Sequence, residues 1–133
     1  MKTVFADTSF YIAFVNPCDT GHEAAMDFVQ HFSGKLVTTE YVLIEVGNWL
    51  ARSGDRPVFL DLLKDLQADP GTTVLAGDHA LFGAGLSLYG RRLDKGWSMT
   101  DCISFAVMKQ HRLTEALTAD HHFEQAGFKV LLK

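Results

Sequence analysis

The chain has 133 residues, 47% of them hydrophobic and 21% charged, with a formal net charge of −4. That predicts one globular domain with a real core, and the acidic balance argues against broad electrostatic capture of nucleic acid. No apolar run approaches the roughly 18 residues of a membrane span, and Asp7 interrupts the place where a signal peptide needs its apolar stretch. Cys18 and Cys102 stand far apart without a C-x-x-C motif, so a cytoplasmic protein with buried thiols is expected rather than a disulfide scaffold.

Lys2 to Ala6 reads as a buried strand that ends on Asp7-Thr8-Ser9. Thr8 to Val15 is a short apolar helix stopped by Asn16-Pro17, and a second helix opens near Gly21 and runs to about Phe32. Leu36 to Thr38 is a strand, and Thr39 caps a helix reaching about Arg52. Pro57 restarts a helix that carries Phe59, Leu62, Leu63 and Leu66 on one stripe and stops before Pro70-Gly71. Thr73 to Ala76 is a third strand. His79 to about Leu93 is helical in tendency, although Gly83, Gly85 and Gly90 point to close helix packing or a loose segment. A helix from Ser98 to about His111, a strand from Glu115 to Thr118, a short helix from His121 to Gln125 and a strand from Lys129 to Leu132 complete the chain. Alternating strands and helices predict a three-layer α/β fold, a parallel sheet covered on both faces. Right-handed crossovers then bring the C-terminal ends of all strands to one edge, where ligands bind in open α/β sheets.

Four carboxylates can be argued onto that edge. Asp7 follows strand one directly and taken alone reads as a helix N-cap. Glu45 lies less than two turns into its helix and shares a face with Tyr41, Asn48, Trp49 and Arg52, and pattern alone favours a solvated or boundary glutamate. Asp101 closes Ser98-Met99-Thr100-Asp101, a capping-box pattern that holds a carboxylate in the first helical turn. Asp120 ends Ala116-Leu117-Thr118-Ala119-Asp120, again a strand finishing on a hydroxyl and an acid, and strands one and four are candidate neighbours at the switch point. Acids gathered this way repel and raise one another's pKa values unless a cation joins them. Oxygen-only ligands favour Mg²⁺ or Mn²⁺ over Zn²⁺, and such an ion in an open site suits phosphodiester hydrolysis.

Asp7-Thr8-Ser9, Glu45, Thr100-Asp101 and Thr118-Ala119-Asp120-His121-His122-Phe123 together resemble a PIN domain, most closely the VapC-type ribonuclease toxins of toxin–antitoxin pairs. The resemblance spans essentially the whole chain. It implies a Rossmann-like fold and a Mg²⁺- or Mn²⁺-dependent endoribonuclease with Asp7, Glu45, Asp101 and Asp120 as its acidic quartet. Asp7, Asp101 and Asp120 are the implied metal ligands, and Glu45 the residue that orients or deprotonates the attacking water. Thr8, Ser9 or Thr100 is implied as hydrogen-bonding support, and in-line attack leaves a 3′-hydroxyl and a 5′-phosphate. An antitoxin and a homodimer partner are implied as well.

Three other readings compete. One is a catalytically silent module that uses the acids to hold a partner's Arg or Lys. Another is a PIN nuclease in RNA processing without an antitoxin. The third is a phosphatase or phospho-acceptor domain, which the absence of a second acid near Asp7 and of a strand-end Lys disfavours. Arg52 with Arg56, and Arg91 with Arg92 and Lys95, are two basic groups suited equally to phosphate contact or to a solvated face. Trp97 reads as a packing anchor and Cys102 as a core thiol. His121-His122 is not expected to bind zinc, since adjacent histidines diverge and no third ligand has suitable spacing. The apolar content of Phe14 to Phe32 and Tyr41 to Leu66 exceeds what a small monomer needs, as an antitoxin or dimer contact would explain.

Overall fold

The computed structural model describes residues 1–132. Five strands, β1 (Thr3–Ala6), β2 (Lys35–Thr39), β3 (Thr72–Leu75), β4 (Glu115–Leu117) and β5 (Lys129–Val130), pair in parallel in the order β3-β2-β1-β4-β5. The sequence therefore folds as the expected α/β architecture. β1 lies at the centre, and its Val4, Phe5 and Ala6 are fully buried, as a strand covered on both faces requires. The chain moves outward from β1 to β2 and β3, then returns to β4 on the other side of β1. The switch point thus falls between β1 and β4, where Ala6 stands in register with Leu117.

The helices are α1 (Thr8–Val15), α2 (His22–His31), α3 (Glu40–Arg52), α4 (Arg56–Ala68), α5 (His79–Arg91), α6 (Met99–Gln110) and α7 (His121–Gln125). With right-handed crossovers, α1 to α4 cover one face of the sheet and α5 to α7 the other. Aromatic packing follows this division. Phe10 meets Phe14 and Phe28 where α1 crosses α2. On the opposite face Phe123 packs on Phe5 and takes Phe105 edge-on at 4.9 Å.

Local chemistry explains most boundaries. The Thr39 hydroxyl accepts from Val42 N and caps α3, while Asp78 does the same for Leu81 N at α5. Pro57 sits in the first turn of α4, where a missing N–H costs nothing. Gly85 lies within the contact between α5 and α6, and a Cβ there would come to 3.0 Å from the Ile103 backbone. Gly83 and Gly90 face open space, so only the middle glycine serves close helix packing. β5 is shorter than its apolar run predicts. Leu131 and Leu132 still donate to Ala116 and Thr118, so the ladder continues as irregular backbone at this edge.

Candidate functional site

Asp7 sits where β1 passes into α1 and is 5% exposed. Its side chain makes no capping bond to α1. Instead Oδ2 accepts from Thr118 Oγ1 at 2.8 Å, across the switch point. Thr118 Oγ1 also accepts from Asp120 N at 3.1 Å and lies 2.9 Å from Ser9 Oγ. Thr118 has one hydroxyl proton and spends it on Asp7, so Ser9 is the donor in the second contact. A short relay therefore runs from Ser9 through Thr118 to Asp7.

The other three acids are held in the same manner. Thr8, the first residue of α1, donates its hydroxyl to Glu45 Oε1 at 2.6 Å and draws the middle of α3 toward the end of β1. Asp101 closes a complete capping box with Ser98. Its Oδ2 accepts from Ser98 N at 3.2 Å and contacts His122 Nδ1 at 3.0 Å. Asp120 caps α7 by accepting from His122 N at 2.9 Å through Oδ1. Each carboxylate thus has one oxygen tied to a side-chain or capping donor, and for Glu45, Asp101 and Asp120 the other oxygen has no hydrogen bond among the described residues. Asp7, Glu45, Asp101, Asp120 and His122 line one open cleft of about 370 Å³, and no Lys or Arg lines it among the described residues.

Burial pushes the Asp7 carboxyl up from 3.8 to about 7, and the charges of Asp101 and Glu45 add to the rise. The Thr118 hydroxyl and the Thr8 backbone amide pull the other way. A buried carboxylate beside two like charges and without a Lys or Arg partner is a costly arrangement for a metal-free protein. It suits a divalent cation, which ionises the acid and uses the remaining oxygens. The donors are hard carboxylate oxygens pinned through their second oxygen, a chemistry that suits a hard divalent cation.

Comparison with known proteins decides the family. The sequence matches the PIN domain over residues 4–129. The chain belongs to the PIN-domain family. Among solved structures it is similar to Mycobacterium tuberculosis VapC20, a toxin described as cleaving the sarcin-ricin loop. That pair superposes with a TM-score of 0.86 at 25% identity, over 94% of this chain and 95% of the other. FitAcB from Neisseria gonorrhoeae shares the fold at a TM-score of 0.67 and 18% identity, over 96% of each chain. A toxin–antitoxin complex from Klebsiella pneumoniae shares it at 0.63 and 14% identity, over 89% of this chain and 87% of that one. No curated protein matches the sequence.

Within this PIN domain the four expected acids are brought to one cleft, and the expected support from Thr8 and Ser9 is present. Thr100 makes no side-chain hydrogen bond among the described residues; Thr118 takes that place. Trp97 is the packing anchor anticipated, 6% exposed, with its indole N–H on Gln125 and Phe105 against its ring. Cys102 is buried and its thiol pushed up by desolvation, whereas Cys18, expected to be buried, is exposed because it lies in the turn between α1 and α2. The histidine pair departs from expectation. The rings of His121 and His122 do not diverge but lie 4.5 Å apart, and a ligand atom of each comes within 4.8 Å of one on Asp120. The reason is that α7 begins at the pair, so first-turn geometry turns His122 back onto Asp101 while His121 stays exposed. The only signal in the sequence was their position directly after a strand-end acid.

Proposed function

We propose that this PIN domain is a Mg²⁺- or Mn²⁺-dependent endoribonuclease and the toxin of a toxin–antitoxin pair, acting in the cytoplasm. One observation carries the reading: four carboxylates in one cleft, each with one oxygen fixed by a side-chain or capping donor, and no Lys or Arg lining it among the described residues. A silent module that used these acids to clasp a basic partner would gain nothing from pinning each carboxylate through its second oxygen. The description of VapC20 as a toxin that cleaves the sarcin-ricin loop supports RNA as the substrate class.

Asp7, Asp101 and Asp120 would hold the ion through their remaining oxygens. Bound there, it supplies an activated water and offsets charge on the scissile phosphate. Glu45, oriented by Thr8, accepts the proton of the attacking water. The Ser9–Thr118 relay keeps Asp7 in position, and the Ser98 and His122 donors do so for Asp101.

The partner surfaces fit the same reading. An apolar groove of about 730 Å³ between α3 and α4, lined by Tyr41, Ile44, Phe59, Leu60 and Leu63, suits an antitoxin segment. Phe82, Leu86 and Tyr89 form an exposed apolar stripe along α5, continued by Leu93 in the turn that follows, and this stripe suits a second copy of the chain. No helix among the described residues is long and apolar enough to cross a membrane. Incubating purified protein with RNA and Mn²⁺, then sequencing the 5′ ends of the fragments, tests the activity. Specific cleavage that disappears in Asp7→Ala is expected, and unchanged cleavage by that variant overturns the reading.

A further inference from the structure

The acid cleft does not end at the four carboxylates. It shares Thr8, Ile12 and Glu45 with a second groove of about 350 Å³, whose remaining walls are Asn48, Trp49 and Arg52. We infer that this second groove seats the unpaired RNA nucleotide next to the scissile one, its base on Trp49 and its phosphate on Arg52. The inference rests on the ribonuclease reading of the acid cleft.

Three observations carry it. First, Glu45, Asn48, Trp49 and Arg52 recur on one face of α3, which sets Arg52 about 10 Å along the axis from Glu45. A strand leaving the acids along α3 therefore meets the indole and then the guanidinium. Second, Arg52 is the only Arg or Lys lining either groove among the described residues. It is exposed and makes no hydrogen bond or ion pair among the described residues. Arg92, by contrast, is committed to a two-pronged bond with Asp94 and lies over the Trp97 ring. Third, the groove combines one aromatic ring, one amide with both donor and acceptor capacity and one free cation. That is the chemistry of an unpaired nucleotide, whose base can be splayed onto a ring as a base inside a duplex cannot. Arg52 also complements the C-terminal end of the α3 dipole. That role requires neither Trp49 beside it nor a groove that opens into the acids.

The test is binding of a fluorescein-labelled single-stranded RNA of about ten nucleotides, read by anisotropy across a salt series. Asp101→Asn protein serves as the cleavage-silent background. Arg52→Gln is expected to weaken binding several-fold and to lower the salt slope by about 0.7, one phosphate contact on a single strand. Arg52→Lys should restore the slope, and Arg92→Gln should leave it unchanged. Trp49→Leu should weaken binding about tenfold with little change in slope. Because Trp49 is half-buried, RNA quenching of its fluorescence in Trp97→Phe protein reads the same contact in a chain that keeps Trp49. In the cleaving protein, Arg52→Gln should raise KM with kcat little changed. An unchanged slope in Arg52→Gln, an equal loss in Arg92→Gln, or absence of Trp49 quenching overturns the inference, even where cleavage is intact. Absence of cleavage with the Arg52-dependent slope preserved overturns the ribonuclease reading instead.

Discussion

The Thr118 hydroxyl donates to Asp7 Oδ2 across 2.8 Å and ties the residue after β1 to the residue after β4. The bond spans 111 positions of sequence, and it holds a buried carboxylate in place where the sheet changes direction. It partly offsets the effect of burial, which is the main influence on how readily Asp7 ionises. In Thr118→Val the lowering influence is lost while burial and the neighbouring charges remain, so Asp7 should titrate above about 7 in metal-free protein. Carboxyl NMR titration reads this directly. An unmoved midpoint would show that the hydroxyl does not control the acid.

The same group makes metal-free stability depend on pH. Asp7 titrates at about 7 when folded and 3.8 in its ordinary state, so between these values the native chain binds the extra proton. Its contribution is fully present below about pH 4 and is lost as pH rises through about 7, by up to about 4 kcal/mol. Asp7→Asn should abolish that decline. In EDTA, the stability gap between variant and parent should widen from pH 4 to 7 and then level off. A gap independent of pH contradicts the assignment of the titration to Asp7.

Metal should reverse this penalty. Saturating Mn²⁺ at one hundred times its dissociation constant should stabilise the protein by about 2.7 kcal/mol, and EDTA should remove the gain. His122→Ala frees Asp101 Oδ2 from one of its two donors and should weaken Mn²⁺ binding about 10–100-fold. Calorimetric titration measures the affinity and a metal-free melt checks the fold. Equal affinity for parent and His122→Ala would assign His122 to α7 alone.

Asp101 has two separable tasks. Asp101→Asn keeps an oxygen for the capping box but removes the charge, so cleavage should vanish while stability changes little. Asp101→Ala loses both and should cost a further ~0.5–1.5 kcal/mol, in line with one lost hydrogen bond, since Ser98 still caps the helix. Denaturant melts of the two variants, run beside an RNA cleavage assay, separate these roles.

Between α5 and α6 the two nearest glycines should respond in opposite directions. Gly85→Ala forces a methyl against the Ile103 backbone and should destabilise by about 1–3 kcal/mol. Gly83→Ala enters open space on the same helix and should stabilise by about 0.4–1 kcal/mol. Thermal melts of both single variants decide it.

The sequence by itself determined the alternation of strands and helices, because apolar period, caps and Pro or Gly stops are local properties. It also marked Asp7, Asp101 and Asp120 as strand-end or first-turn acids, since each position follows from its immediate neighbours. Glu45 was different: only likeness to a family separated it from a boundary glutamate, because its hydroxyl partner lies 37 residues away. Tertiary structure alone decided that β1 and β4 adjoin, that Thr118 rather than Thr100 supports the site, and that His122 turns onto Asp101. It also left the α5 stripe uncovered, although the apolar excess had pointed to α2, α3 and α4. The physical reason is common to all of these. A hydrogen-bond partner or a covering surface is chosen by which elements the crossovers bring together, and no local period records that choice.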